Sequence, residues 1–563
     1  MTGLPIPGTV RLVDLEGTSN RKHAEGDSDI ILIPRPTNDP NDPLNWSPRR
    51  KLTASLMHIV WVLFGAGIIN GLSGAYLMIE QDTGISLTSL NLGNALMYLF
   101  FGWGCLLSQP LALDYGRRPS AVISLFITSV LVLWVSFMKT AAEWYANRIL
   151  IGIFFSGIES LVELCVADSK FTHERGFHMG FYNWSLYTGP FLAPIPAGFL
   201  ADAAGWRWIN RMYFIVGIVA TVVTYFFFEE TMFYRGGTAD EFLDAEEPST
   251  AQAAVEDKKS PTPSSSEQEA NEKAVIAAET SSPPTPAGET ESKTETGEAY
   301  RVRPYVQRLK LFPRRDPRQP RTFLSKFFFL PLYLMRYPAI VFSGILIGGV
   351  LAWYNVLVGT MALVFGNAPY NFSTNMIGLT YLAAWFGTTI GCLVSGWMND
   401  KLATFIARRN NGIKEPEARL WTAVVPLILH PAGCILYGVG AAHGIHWVGL
   451  CFGLGLVTLG IVVGSTLALS YCVDCYKEVA GESIVTVIII RNTIGFAFGY
   501  AVTPMVNNLG LQGAFLLIAF VGMGLNLLCF LVIAFGRRMR AASAESYWKL
   551  VEAHQGQGLA LAH

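Results

Sequence analysis

Charge is what this 563-residue chain has least of. Only 15% of its residues are Asp, Glu, Lys or Arg, against 51% hydrophobic and 12% aromatic. A soluble globular chain carries nearer a quarter charged residues, so the deficit argues against one. Cysteine and histidine are also scarce, at eight and nine residues. Cys472 and Cys475 form a C-x-x-C with no second pair or histidine nearby, so the cysteines read as small apolar residues and no metal or redox centre is indicated. His58 and His430 stand alone in apolar sequence and read as hydrogen-bonded structural residues. No G-x-x-x-x-G-K-[ST], no H-E-x-x-H and no nucleophile elbow occurs. ATP-driven pumping, zinc proteolysis and hydrolysis thus have no carrier, and the reading is of no enzyme, no cofactor and no metal. Residues 1–51 are polar and Pro-rich, without a short apolar core and cleavage site, so no cleavable signal peptide is expected.

What the chain does have is long apolar runs. About 18 residues cross the roughly 30 Å of hydrocarbon as helix. Twelve runs qualify, at about 52–79, 89–111, 120–138, 143–167, 177–200, 209–228, 337–365, 373–398, 421–440, 446–473, 482–505 and 511–536. They are called spans 1 to 12 below. Basic residues fall on alternate loops. Arg49, Arg50 and Lys51 precede span 1, Arg117 and Arg118 follow span 2, and Lys170 and Arg175 follow span 4. Lys401 to Arg419 separate spans 8 and 9, Lys477 follows span 10, and Arg537, Arg538 and Arg540 follow span 12. The opposite loops hold only Lys139, Arg207 and Arg211. The positive-inside rule then places both termini in the cytoplasm, with the plasma membrane as the expected location.

The spans divide into two groups of six. The sequence predicts a cytoplasmic tail over 1–51, a six-helix bundle over 52–228, a cytoplasmic linker over 229–336, a second six-helix bundle over 337–536 and a tail over 537–563. The linker's Ser/Thr/Glu/Pro-rich stretch lacks core-forming residues and should be disordered. Its end, RVRPYVQRLKLFPRRDPRQPRTFLSKFFFL, interleaves bases with aromatics. A solvated loop is one reading; directly before a span, an interfacial helix on the anionic inner leaflet fits better than nucleic acid. The halves echo each other. CVADSKFTHERG leaves span 4 and YCVDCYKEVAGE leaves span 10, each with an Asp (Asp168, Asp474) at the cytoplasmic end. DYGRR follows span 2 and GWMNDK ends span 8. Parallel repeats of this kind place a substrate site between the halves near the midplane.

These residues resemble the major facilitator superfamily. Arg148 with Gly152 is similar to the R-x-x-x-G of that family's fourth span. GFYNWSLYTGPFLAPIPAG, with Gly189 and Pro190, resembles its Gly/Pro-rich fifth-span motif of antiporters, and YGRRP, with Gly116, Arg117 and Arg118, the end of its loop 2–3 signature. DPNDPLNWSPRRK, DSKFTHERG, GWRW and ARRNNGIKEPEARL look like the fungal twelve-span drug:proton antiporter branch, nearest its histidinol/polyamine-permease-like subgroup. One departure matters: Leu113 stands where the loop 2–3 signature has Asp, and Asp114 comes one position late. Gly396, Asp400 and Lys401 keep the second-half spacing, so the resemblance carries gating onto Asp400, with Asp168 and Arg175 after span 4. It implies an all-α membrane protein with twelve transmembrane helices in two bundles.

Span 4 raises the sharpest question. Glu159 and Glu163 sit one turn apart in membrane-grade sequence, eleven and fifteen positions after Arg148. On a straight helix Arg148 and Glu159 lie about 20° apart and Glu163 about 40° further on, one shared stripe. Charges in hydrocarbon are costly and mark function or pairing. A carboxylate there holds a proton or a cation; alternatively, either Glu forms a structural ion pair with a base on another helix. Arg148 either tunes a nearby carboxylate, as the family motif implies, or anchors carbonyls at a helix contact. Gly189-Pro190 should kink span 5 and let a neighbour approach. In the second half, Trp353, Tyr354 and Asn355 of span 7, Tyr471 and Asp474 of span 10, and Arg491 with Asn492 of span 11 are candidate cavity residues. Ordinary packing is the alternative for each aromatic, whereas an intramembrane arginine demands a partner or an aqueous lining.

The function expected is proton-coupled secondary transport of small organic molecules by alternating access, by a monomer in the bilayer with no nucleic acid bound. Efflux of drugs or secondary metabolites follows from the antiporter-like span 5. The rival is an uptake permease for organic cations such as polyamines. A transport-inactive membrane sensor on the same scaffold is the reading of a different class.

Overall fold

The computed structural model describes residues 5–11, 23–24, 27–31, 37, 39–233, 303–312, 324–410 and 413–555. The part of the linker expected to be disordered lies outside the described residues. Both groups of helices belong to one compact unit; the other unit, Thr37–Pro40 with Arg235–Val302, has almost all its residues outside the described set.

The first half comprises α1 (Pro48–Asn70), α2 (Tyr76–Thr83), α3 (Leu87–Tyr115), α4 (Arg117–Val135), α5 (Ala141–Phe155), α6 (Gly157–Ser169), α7 (Thr172–Leu192), α8 (Pro194–Ala204) and α9 (Trp206–Phe227). A short helix, α10 (Tyr305–Arg308), and α11 (Leu324–Leu334) close the linker. The second half comprises α12 (Pro338–Gly366), α13 (Thr374–Arg409), α14 (Val424–Ala442), α15 (Trp447–Cys475) and α16 (Ala480–Gln555). The described strands are short: β1 (Val10–Arg11) pairs with β4 (Ile413–Lys414), and β2 (His23–Ala24) with β3 (Asp27–Ile31).

Among the described residues, ten helical stretches are long and apolar enough to cross a membrane. The last, Lys477–Ala553, contains both spans 11 and 12, which turn at Gly510 (φ +67°). Span 5 is not among the ten. Its first piece, α7, opens with the polar THERG and carries Pro190, and Pro194 then starts α8. Proline removes a ladder hydrogen bond and clashes with the preceding turn, so neither piece is both long and apolar enough. Span 4 is also interrupted, at Ser156, between α5 and α6.

The outer surface is apolar. On α9, Ile215, Val219, Val222 and Phe226 are 45–58% exposed along one face, and Phe386, Leu393, Phe452 and Phe520 are exposed on the second half. Apolar stripes of this extent on a water-facing monomer would be anomalous; they are the surface a helix bundle offers to lipid. The inside holds the polar groups, among them Arg148, Glu159, Glu163 and Asn492, each less than 9% exposed.

Within the first half α1 packs on α7 and α9, and α3 on α5; within the second, α12 packs on α16 and α13 on α15. Between them α3 meets α16, and α7 and α8 meet α13. Spans 2 and 5 thus face spans 11 and 8, as a two-fold repeat requires, since 2 corresponds to 8 and 5 to 11. The linker helix α11 lies on α3 and α16 together, with the Thr486 hydroxyl donating to the Pro331 carbonyl at 2.8 Å.

Candidate functional site

The break at Ser156 leaves α6 as a separate segment carrying both glutamates. Tyr182 of α7 braces it by donating to the Glu159 carbonyl at 3.0 Å. Arg491 of α16 donates to the Glu159 carboxylate, forming an ion pair between the halves whose side chains are 11% and 9% exposed. Asn492 Nδ2 lies 3.4 Å from the same carboxylate oxygen and 3.0 Å from the Ile488 carbonyl. Beside them the Trp103 indole of α3 donates to the Thr493 hydroxyl at 3.2 Å. Glu163 is equally buried, 7% exposed, with no hydrogen bond or ion pair to any described residue. The cluster therefore holds two carboxylates and one guanidinium. A net negative charge of this kind, away from water, accommodates one proton or one cationic group at modest cost.

Arg148 is elsewhere. Eleven residues of helical rise put it about 16 Å along the axis from Glu159, and it reaches neither glutamate. Its guanidinium stacks 3.9 Å above the Trp144 ring and touches Met97 Sδ at 3.7 Å. No described carboxylate pairs with it, so its charge is held by a ring face, with Tyr76 and Tyr98 as electrostatic neighbours.

Towards the other end of the interface lies a cavity of about 20 Å³ lined by Asn70, Tyr76, Asn91, Asn94, Tyr98 and Asn355, among others. That is room for about one water. Around it the halves are joined: Asn70 Nδ2 donates to the Tyr354 hydroxyl, the Ser73 and Tyr381 hydroxyls lie 2.8 Å apart, and Asn375 N donates to Asp202 Oδ2 at 3.0 Å. The last bond caps the start of α13 from the opposite half.

In span 7 successive residues point about 100° apart, and the structure separates the triplet accordingly. Asn355 lines the cavity and donates to the Gly495 carbonyl at 3.0 Å. Trp353 instead packs within the second half, 5.7 Å from the His430 ring and 5.4 Å from Phe498. Tyr354 is the residue of the three that bonds across to the first half, at Asn70. Tyr471 is buried against Phe342, their rings 6.1 Å apart, in the second-half core, rather than in the cavity.

Asp474 is also away from the cavity. It accepts from Arg419 Nε at 2.7 Å at the face carrying the basic loops, and Arg117 pairs with Asp168 at 3.3 Å in the first half. Both arginines begin the third span of their half and both aspartates end the fourth, so the sequence echo is an echo of ion pairs. Gly116, at φ +110°, turns α3 into α4, whose first amides, Arg117 N and Arg118 N, donate to the Glu230 carboxylate at 3.0 and 3.1 Å. Arg118 is fully buried and donates to the carbonyls of Arg308, Lys310 and Tyr225 at 2.6–2.8 Å. The basic end of the linker is thus docked on the first half by its main chain. Lys401 lies 4.7 Å from the Trp397 ring and Gly396 faces open space; the side chains of Arg175 and Asp400 lie outside the description.

Gly189 marks a close crossing in the first half. A Cβ there would sit 2.8 Å from the Leu63 carbonyl oxygen and 2.9 Å from Gly67 N of α1. With Pro190 beside it, the segment is both bent and tightly seated.

A model of the Major Facilitator Superfamily matches residues 59–492. The chain belongs to this superfamily. An MFS-type transporter of Schizosaccharomyces pombe is 28% identical over 555 residues, covering 96% of this chain and 94% of the relative. Protein HOL1 of Saccharomyces cerevisiae is 27% identical over 580 residues, 98% of each. The MFS transporter cpaT of Aspergillus oryzae is 27% identical over 510 residues, 90% of each. Among solved structures, the xylose transporter XylE of E. coli, in a partially occluded inward-open conformation, superposes with a TM-score of 0.53 at 11% identity, covering 85% of this chain and 98% of that one; this is a likeness of fold. As a superfamily member the chain is a multi-pass membrane protein and a secondary transporter of small molecules, not an enzyme.

Proposed function

We propose that this transporter exchanges protons for small organic molecules, exporting drugs or secondary metabolites, with Glu159 and Glu163 as the coupling carboxylates. The observation that carries the reading is the unequal pair on α6: Glu159 is neutralised by Arg491 of the other half, while Glu163 is buried one turn away with no partner among the described residues. Protonation or a cationic substrate at Glu163 removes the surplus charge, and either event competes with the other. Because the Glu159–Arg491 pair joins the halves, a charge change beside it biases their contact, which is what coupling requires. Asn355, Asn492 and the tyrosines beside the small cavity supply hydrogen bonds for the substrate. The Arg117–Asp168 and Arg419–Asp474 pairs act as gating pairs at the cytoplasmic face, with Asp400 and Lys401. The bent, close-packed span 5 around Gly189-Pro190 favours export. The protein works as a monomer in the plasma membrane with both termini inside.

The surplus carboxylate also fits uptake of an organic cation such as a polyamine. Flux of labelled spermidine and of a fluorescent cationic drug, compared in cells with and without the protein under imposed pH gradients, decides between them. Drug export driven by inward proton flow supports the first reading and spermidine accumulation the second. No flux of either compound at normal surface expression contradicts both.

A further inference from the structure

The N-terminal tail is seated on the second half at four points. Arg540, fully buried after span 12, donates Nε and Nη2 to Glu417 at 2.9 and 2.6 Å. Its Nη1 turns to the tail, donating to the Pro7 carbonyl and, at 3.3 Å, to the Thr9 hydroxyl. A buried guanidinium has five donors to satisfy, and Glu417 alone leaves one side bare. The Trp548 indole donates to the Pro5 carbonyl at 2.8 Å. Gly8 lies at φ +79°, where a Cβ would stand 2.4 Å from the Asp474 carbonyl oxygen and 2.9 Å from Cys475 Cα. Beyond it, Val10 and Arg11 pair antiparallel with Lys414 and Ile413.

These contacts gather the loop before span 9, the start of span 9, the end of span 10 and the helix after span 12, the elements that also carry the Arg419–Asp474 pair. The same tail is anchored a second time on the first half. The Pro43–Asn45 turn packs on α6, the helix of Glu159 and Glu163, and Asn41 Oδ1 accepts from Arg303 N at 3.0 Å. One tail therefore grips both halves at the face of the basic loops.

We propose that residues 5–11 are a cis-docked strap whose release from the second half is a step in conformational exchange. While docked, the strap keeps Arg540 dry and bonded through all three of its nitrogens, which strengthens its pair with Glu417 and holds the ends of spans 9, 10 and 12 as one block. The elements it ties, the ends of spans 9, 10 and 12, shift when the halves part at this face, and the strap, bound through main-chain carbonyls and a two-residue ladder, is the weaker link.

The test is a reversible lock on the full-length protein, read without any substrate. Val10→Cys with Lys414→Cys places thiols on directly opposed residues, within disulfide reach, each single variant being the control for the native cysteines. Purified in nanodiscs, the oxidised double variant should show amide hydrogen exchange across residues 101–109 and 484–492, where α3 meets α16 on the strap's side, slowed at least about fivefold, restored by reductant. Gly8→Val should cut disulfide yield at least about fivefold, since the added side chain meets backbone. A lock that forms and leaves exchange unchanged overturns the regulatory role and leaves the strap as structural glue. Failure of the lock to form, or equal yield with Gly8→Val, overturns the docked geometry itself.

Discussion

Replacing Glu159 by Gln leaves the Arg491 guanidinium in a setting where it is only 11% exposed. Removing one partner of a buried pair costs about 3–5 kcal/mol, because the other charge stays behind uncompensated. Glu163, one turn away and unpartnered among the described residues, can turn towards Arg491 and recover part of that loss. The single changes should therefore be mild: about 2 kcal/mol for Glu159→Gln, with the backup in place, and under about 1 kcal/mol for Glu163→Gln, which breaks no bond. The double variant has no backup and should bear the full cost, a coupling above about 1 kcal/mol. The pair joins α6 to α16, so the cost falls on the conformer in which the halves touch there. At about 1.4 kcal/mol per factor of ten, the double variant moves the conformer ratio by about two to three and a half orders of magnitude. Spin labels at Tyr115 and Lys401, exposed on the basic face of opposite halves, report this by pulsed EPR in nanodiscs. The parent should give a short distance, Glu159→Gln a minor long component, and the double variant a dominant long one. An unchanged distribution in the double variant, or strictly additive single effects, would refute the backup role of Glu163.

Gly189→Ala forces a methyl against two backbone atoms of α1 closer than 3.0 Å and should cost about 1–3 kcal/mol; a melting temperature equal to the parent's in detergent would show that the crossing yields freely. Asp202→Ala removes the cap on the start of α13, worth about 1 kcal/mol, and with it one bond between the halves. A cysteine at Ser73, buried behind that contact, should then react about fivefold faster with an impermeant thiol reagent, and an unchanged rate would remove Asp202 from the closure.

Much of this was legible in the sequence because it is local. Apolar length marks the crossings, and the aspartates ending spans 4 and 10 announce the ion pairs that repeat in each half. The count of continuous helices was less legible, since Pro194 and Gly510 change the hydrogen-bond ladder without changing hydropathy. Arg491 was recognisable as a charge in need of a partner, but its partner stands 332 positions away, and only tertiary packing brings α6 to α16. Direction was less legible: Trp353 turns into the second half, and Arg148, eleven residues before Glu159, sits too far along the axis to reach it. The strap left no trace in composition: its bonds are made by main-chain carbonyls of a polar tail, and Arg540, which holds it, reads in sequence as one more basic residue after a span.

The central claim is that the α6 carboxylates exchange a proton for substrate. Its most direct measurement is proton movement in proteoliposomes loaded with a fluorescent pH indicator, after addition of spermidine or the cationic drug with no imposed gradient. Whichever compound is transported should move protons in the opposite direction, and Glu163→Gln should transport with that signal lost. A Glu159→Gln/Glu163→Gln double variant that still moves protons with substrate would contradict the account.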